Sequence, residues 1–206
     1  MNKRRKRFHR AIYPYGSIHR ACWGVSAFGG IDVLVSNAGS FPPSKTMAEL
    51  TDEELEKSLA LNFSSHMRVI REATPFLKLG FDPSIVLVAS KNVPAPGPGA
   101  SAYSTAKAAL AQAGRVAALE LGEYGIRVNS IHPNAVFDTG VWQEGILKKR
   151  AQHYGLSVEE YKRNNILKTE INSDDVGEFV VTIAGPSFAK TTGAQIPIDG
   201  GNERVI

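Results

Sequence analysis

Tyr103 and Lys107 lie four residues apart in Tyr-Ser-Thr-Ala-Lys, and Ser90 lies thirteen residues upstream, closing Ile-Val-Leu-Val-Ala-Ser. On a helix, residues i and i+4 share a face, so the ammonium points the same way as the phenol. A cation there favours phenolate, and the expectation is a tyrosine pKa lowered towards the range of an acid–base catalyst. A hydroxyl at the tip of a neighbouring strand can then hold a substrate oxygen beside the phenol. Tyr-x-x-x-Lys alone recurs by chance; the serine at this separation turns it into a constellation.

Further residues extend the set. Asn62 falls on the apolar stripe Leu55, Leu59, Phe63, Met67, Ile70, and a polar side chain on a buried face must find partners. It is either an asparagine bonded to nearby backbone or part of the chemistry. Ser36-Asn37-Ala38-Gly39 follows a short apolar run, and its small residues let a backbone approach a ligand. The run 127–134, Arg-Val-Asn-Ser-Ile-His-Pro-Asn, ends on Pro133, and Thr139 follows it. His132 has no second His, Cys or acid at ligand spacing, so no metal is assigned.

Taken together these motifs resemble the short-chain dehydrogenase/reductase family from about residue 21 to the end. The resemblance implies an NAD or NADP cofactor, a small-molecule substrate and a Rossmann-like α/β fold. It implies catalytic roles for Asn62, Ser90, Tyr103 and Lys107: a water-holding relay, a substrate-positioning hydroxyl, a proton-transferring phenol and a lysine that also bonds the nicotinamide ribose. It places Asn37, Ala38, Gly39, Tyr103, Lys107, Pro133 and Thr139 at the cofactor. Two departures stand out: Asn134 replaces the glycine that usually follows the proline, and Thr139 is one residue further on than usual.

The elements that must position these residues follow the same grammar. Apolar runs at 31–35, 85–89, 126–132 and 194–198 alternate with helical patterns, as in a parallel sheet covered on both faces. The expected sheet is parallel, in sequence order, with 31–35 at an edge. Thr51 and Glu54 form a capping box that opens the first long helix, which Pro75 should bend or end. The alanine-rich helix of Tyr103 should run to about Tyr124 with Gly125 as its cap. Gly114 within it reads as a weak spot costing about 1 kcal/mol relative to Ala. Residues 140–168 form a helical insertion with a second capping box, Ser157 and Glu160, which the resemblance makes a lid over the substrate. The last helix starts near Ser173, with Asp174 and Asp175 in its first turn.

The 206 residues contain no TGxxxGxG between a strand and a helix, the turn whose amides and helix dipole receive a pyrophosphate. The glycine-rich stretch 24–30 precedes a strand instead. The expectation is therefore an incomplete, doubly wound sheet, N-terminally truncated, that binds dinucleotide poorly and is prone to aggregate along its open edge. Longer stretches, among them His-Tyr-Gly-Leu-Ser-Val-Glu-Glu-Tyr-Lys-Arg-Asn-Asn, are similar to a narrower family. They resemble the dehydrogenase part of the bifunctional rhamnulose-1-phosphate aldolase/alcohol dehydrogenases. That resemblance implies a lactaldehyde-like substrate in rhamnose breakdown.

Composition bounds the rest. The formal charge of +4 arises from residues 1–20, with seven Lys/Arg and no acid; residues 21–206 hold 17 basic and 20 acidic residues. The division expected is a basic, disordered tail over 1–20 and a partial dehydrogenase domain over 21–206. The basic head also admits a nucleic-acid patch or a presequence, but the body lacks the aromatic interleaving or basic face that nucleic-acid binding requires. No apolar run suits a membrane span, and a lone cysteine, Cys22, fits a reducing cytoplasm. A homo-oligomer through the Asn62 and Tyr103 helices is expected from the resemblance. The competing reading is a catalytically silent remnant serving as an assembly module.

Overall fold

The computed structural model describes residues 25, 28–142 and 144–202. The basic head, Cys22 and residues 203–206 lie outside them, as do the readings made for those residues. Four strands, β1 (Val33–Ser36), β2 (Ser84–Val88), β3 (Arg127–Pro133) and β4 (Gln195–Ile198), form one parallel sheet in the order β1-β2-β3-β4. The order and the edge position of β1 match the expectation from sequence. Side chains alternate along β2: Ile85 and Leu87 enter one core cluster and Val86 the other. Both faces are thus covered, as a central parallel strand requires. The first strand starts at Val33 rather than residue 31. The turn before β2 closes onto Asp32, whose carboxylate accepts the Phe81 amide at 2.7 Å.

Thr51 caps α1 (Asp52–Leu59) through the expected box with Glu54. A π-helical turn, Ala60–Ser64, then joins it to α2 (Ser65–Leu77). This turn changes which side chains face the core. The apolar line Leu55, Leu59, Phe63, Met67 is only half-buried, and the buried line is Ser58, Asn62, His66, Ile70. A spacing of four drifts around an α-helix of 3.6 residues per turn; the wider turn takes up the excess. Pro75 does not end the helix, which runs on to Leu77. Pro75 and Arg71 are exposed, so water can serve the carbonyl that loses its partner.

The helix of Tyr103, α3 (Ser101–Leu121), passes into a 3-10 turn, Gly122–Tyr124, and Gly125 closes it at φ +70°. Gly114 is no weak spot here. A Cβ at this position would sit 2.8 Å from Leu87 Cδ1 and 3.0 Å from Ser130 Oγ, so the glycine lets α3 lie close against the sheet. The insertion supplies α4 (Glu144–His153) and α5 (Val158–Lys162), the latter opened by the expected Ser157–Glu160 box. The last helix, α6 (Ser173–Ala184), packs Val180 and Ile183 on the opposite sheet face. Asn172, unforeseen, caps it with Asp175. Arg127, buried in β3, donates to the carbonyls of Ile183, Ala184 and Phe188 and so fixes the end of α6.

Candidate active site

The constellation gathers where β1 and β2 end. Ser90 follows β2 and is 7% exposed. Its Oγ accepts the Asn92 amide at 3.1 Å, and the Ser90 side chain is near enough to the Tyr103 phenol on α3 to act on its pKa. His132 donates from Nδ1 to the Ser90 carbonyl at 2.8 Å, while its Nε2 lies 2.7 Å from the Gln195 side-chain amide. The strand tip carrying Ser90 is thereby tied to β3 and β4.

Tyr103 and Lys107 share a face of α3 as their spacing dictates, with Nζ 5.9 Å from the phenol ring centroid. The electrostatic expectation is corrected, however. Burial raises the Tyr103 pKa above its usual 10.0, and the Ser90 side chain offsets this only in part. Lys107 turns its ammonium to the Val88 carbonyl at 2.8 Å, and its own burial lowers its pKa to about 8. Desolvation wins over charge pairing because both groups are taken from water. Phe41 packs on Tyr103 with ring centroids 4.7 Å apart and forms one wall of the site.

Asn62 is 1% exposed, within the π-helical turn. Its Oδ1 accepts the Ser40 amide at 3.0 Å, and its Nδ2 donates to the Ser40 carbonyl at 3.0 Å and to Ser58 Oγ at 3.2 Å. The bonding to neighbouring backbone, one of the two roles open from sequence, is present. One Oδ1 lone pair remains. Gly39 lies between this oxygen and the lysine: a Cβ there would be 3.1 Å from Asn62 Oδ1 and 3.4 Å from Lys107 Nζ.

Asn37, Ala38 and Gly39 are exposed directly after β1, at the carboxyl ends of the strands where α/β sheets take ligands. Pro133 is the buried last residue of β3, and its carbonyl accepts the Lys91 amide. Thr139 is exposed, with its hydroxyl donating to the Val136 carbonyl at 2.7 Å within its own turn. Among the described residues no group of three or more His, Cys, Asp or Glu could hold a metal.

Sequence reasoning missed His66, which is 1% exposed. Its Nε2 lies 2.7 Å from the Ala38 carbonyl and its Nδ1 2.6 Å from Ser36 Oγ. Burial, with the nearby Lys107 charge, lowers its pKa to about 4. The signal was available, a polar residue four after Asn62, but the assumed stripe placed it off the core face. Phe41 carried no signal, being one apolar residue in a loop.

A sequence profile described as enoyl-(acyl carrier protein) reductase matches residues 21–203. An uncharacterized oxidoreductase of Bacillus subtilis, YuxG, is 36% identical over 181 residues, 85% of this chain and 26% of that protein. An uncharacterized NAD-dependent oxidoreductase of Mycobacterium tuberculosis is 35% identical over 180 residues, 86% of this chain and 65% of that one. The chain thus spans about a quarter of the first relative's length and under two thirds of the second's. A solved structure, the NADPH-bound short chain oxidoreductase of Pseudomonas aeruginosa PAO1 containing an atypical catalytic center, is 30% identical with a TM-score of 0.79. It covers 89% of this chain, which covers 70% of it.

Proposed function

We infer the function from one fact: this chain belongs to the short-chain dehydrogenase/reductase family. The reading it supports is an NAD(P)-dependent oxidoreductase acting on a small hydroxy-aldehyde or alcohol. The observation that carries it is Tyr103 sharing a helix face with a buried Lys107 beside Ser90, on the strand ends where Asn37, Ala38 and Gly39 are exposed. The NADPH-bound relative and the NAD-dependent one support the cofactor class.

A nicotinamide dinucleotide supplies or takes the hydride when bound. Ser90 holds the substrate oxygen. Tyr103 gives that oxygen its phenolic proton in reduction and takes it back in oxidation, the exchange a phenol within hydrogen-bond reach performs. Lys107 has three N–H groups, one of them on Val88, which leaves two for ribose hydroxyls and a relay water. Asn62 holds that water with its remaining Oδ1 lone pair, next to Gly39. Residues 37–39, with Pro133 and Thr139, line the cofactor side.

The narrower resemblance supports a lactaldehyde-like substrate in rhamnose catabolism. The single cysteine supports a cytoplasmic setting, and no helix among the described residues is long and apolar enough to cross a membrane. Val116 and Leu119, 44% and 84% exposed on α3, support a homo-oligomer through that helix. The proposed division keeps residues 1–20 as a tail and 21–206 as the dehydrogenase domain.

A second reading is a catalytically silent member serving as an assembly module; the 206 residues hold no TGxxxGxG turn. Without its amides and helix terminus, a micromolar affinity weakens by about 4 kcal/mol, to about millimolar. Saturation-transfer NMR with NADH and NADPH reads binding in that range. Turnover is then assayed with small aldehydes and alcohols. We expect weak binding, and turnover that falls about 10²–10⁴-fold in Tyr103→Phe at unchanged cofactor affinity. Binding of neither nucleotide favours the silent reading, and activity indifferent to Tyr103→Phe discards the catalytic assignment.

A further inference from the structure

We propose that His66 is a positioning residue that sets the cofactor-facing loop of residues 36–39, and that it does so as the neutral Nε2–H tautomer. The assignment of this loop to the cofactor rests on the function proposed above; the geometry of the clamp does not. A carbonyl only accepts, so the Nε2 atom 2.7 Å from the Ala38 carbonyl carries the hydrogen. Nδ1 then has a lone pair, and Ser36 Oγ, 2.6 Å away, donates to it. The partners on either side fix both the ring orientation and the tautomer, as they do for histidines held between two groups.

Ser36 is the last residue of β1 and Ala38 lies two beyond it, so one ring staples the strand end to the loop that leaves it. Asn62, one turn earlier, holds both backbone groups of Ser40. Every second residue from 36 to 40 is thus anchored to a single helix face, and that face exists because the π-helical turn brings Asn62 and His66 into line. Gly39, between the anchored residues, is placed against Asn62 Oδ1 and the Lys107 ammonium. The Lys107 charge and the buried setting oppose a second proton on the ring. His66 therefore acts through the loop and leaves proton transfer to other groups.

Two conservative variants separate the two bonds. Gln in place of His puts an amide N–H near the Nε2 position and keeps the bond to Ala38; Asn puts a carbonyl near Nδ1 and keeps only the bond from Ser36. Long-range 15N–1H NMR of the imidazole in the unliganded chain should give the Nε2–H pattern at neutral pH. An Nδ1–H pattern or tautomeric averaging overturns the proposal, whether or not the chain binds cofactor. In NADH titrations, His66→Asn should raise the dissociation constant about 10-fold, while His66→Gln stays within about 3-fold of the parent, as one lost buried hydrogen bond predicts. The rate at saturating cofactor should hold within about 3-fold in both, because the groups that move the proton are untouched. Equal affinity losses in both variants, matched by equal losses of thermal stability, show a merely structural histidine and overturn the proposal. If the wild-type chain binds neither nucleotide, the function proposed above fails. The amide resonances of residues 37–39 then decide on the clamp: broadened in His66→Asn and retained in His66→Gln if it holds, alike in both variants if it does not.

Discussion

Lys107 takes up its proton at about 8 in the folded chain against an ordinary 10.5, because burial opposes the ammonium. Its folded value is depressed, so between pH 8 and 10.5 the unfolded chain binds more protons and stability rises with pH. Below pH 8 both states are protonated, and the burial cost stands in full at about 3 kcal/mol. Lys107→Met should therefore stabilise the fold by about 1–3 kcal/mol at neutral pH, the lower figure allowing for the donor lost by Val88. It should also abolish turnover and flatten the alkaline rise. Urea unfolding at neutral and alkaline pH checks both signs; a destabilised Met variant would mean that the Val88 bond outweighs burial. The four side chains proposed to work, Asn62, Ser90, Tyr103 and Lys107, could be singled out because the proposed chemistry ties their types to fixed spacings. The pKa of Tyr103 was not, since a spacing of four shows that a cation is near but not that both groups are dry or where the ammonium points.

At the scale of the element, local signals were read well and packing was not. The boxes at Thr51–Glu54 and Ser157–Glu160 bond as their sequence implies, because a cap depends on residues within one turn. The π-helical turn at Ala60–Ser64 has no such signature; its residues read as ordinary helix, and only the buried Ser58, Asn62 and His66 disclose it. Gly114 shows the same blindness, since helix propensity sees the backbone and not the facing strand. A Gly114→Ala change would add a helix former but press its methyl on Leu87 and Ser130. Overpacking of this kind costs about 1–3 kcal/mol, more than the roughly 1 kcal/mol of propensity it gains. The variant should unfold at lower denaturant concentration with an unchanged slope; a higher midpoint would show that α3 can back away from the sheet at no cost.

Across the whole molecule, the alternation of apolar runs and helices was enough to give the strand order and the place of β1, because parallel strands need crossovers and crossovers leave few topologies. That order also sets how the chain associates. Among the described residues β1 has a strand on one side only, and its Val35 is 41% exposed. An open edge presents unpaired amides and carbonyls to any other strand, and natural sheets blunt such edges with charge. The α3 face of Val116 and Leu119 is different, a fixed apolar patch on a helix whose backbone is already bonded. The edge should give open-ended, concentration-dependent association, and the patch a discrete oligomer. Val35→Lys should then suppress large species in light scattering and leave any discrete oligomer in place, whereas Leu119→Arg should do the reverse. If Val35→Lys leaves the large species unchanged, the edge is covered in solution and the association must come from another surface.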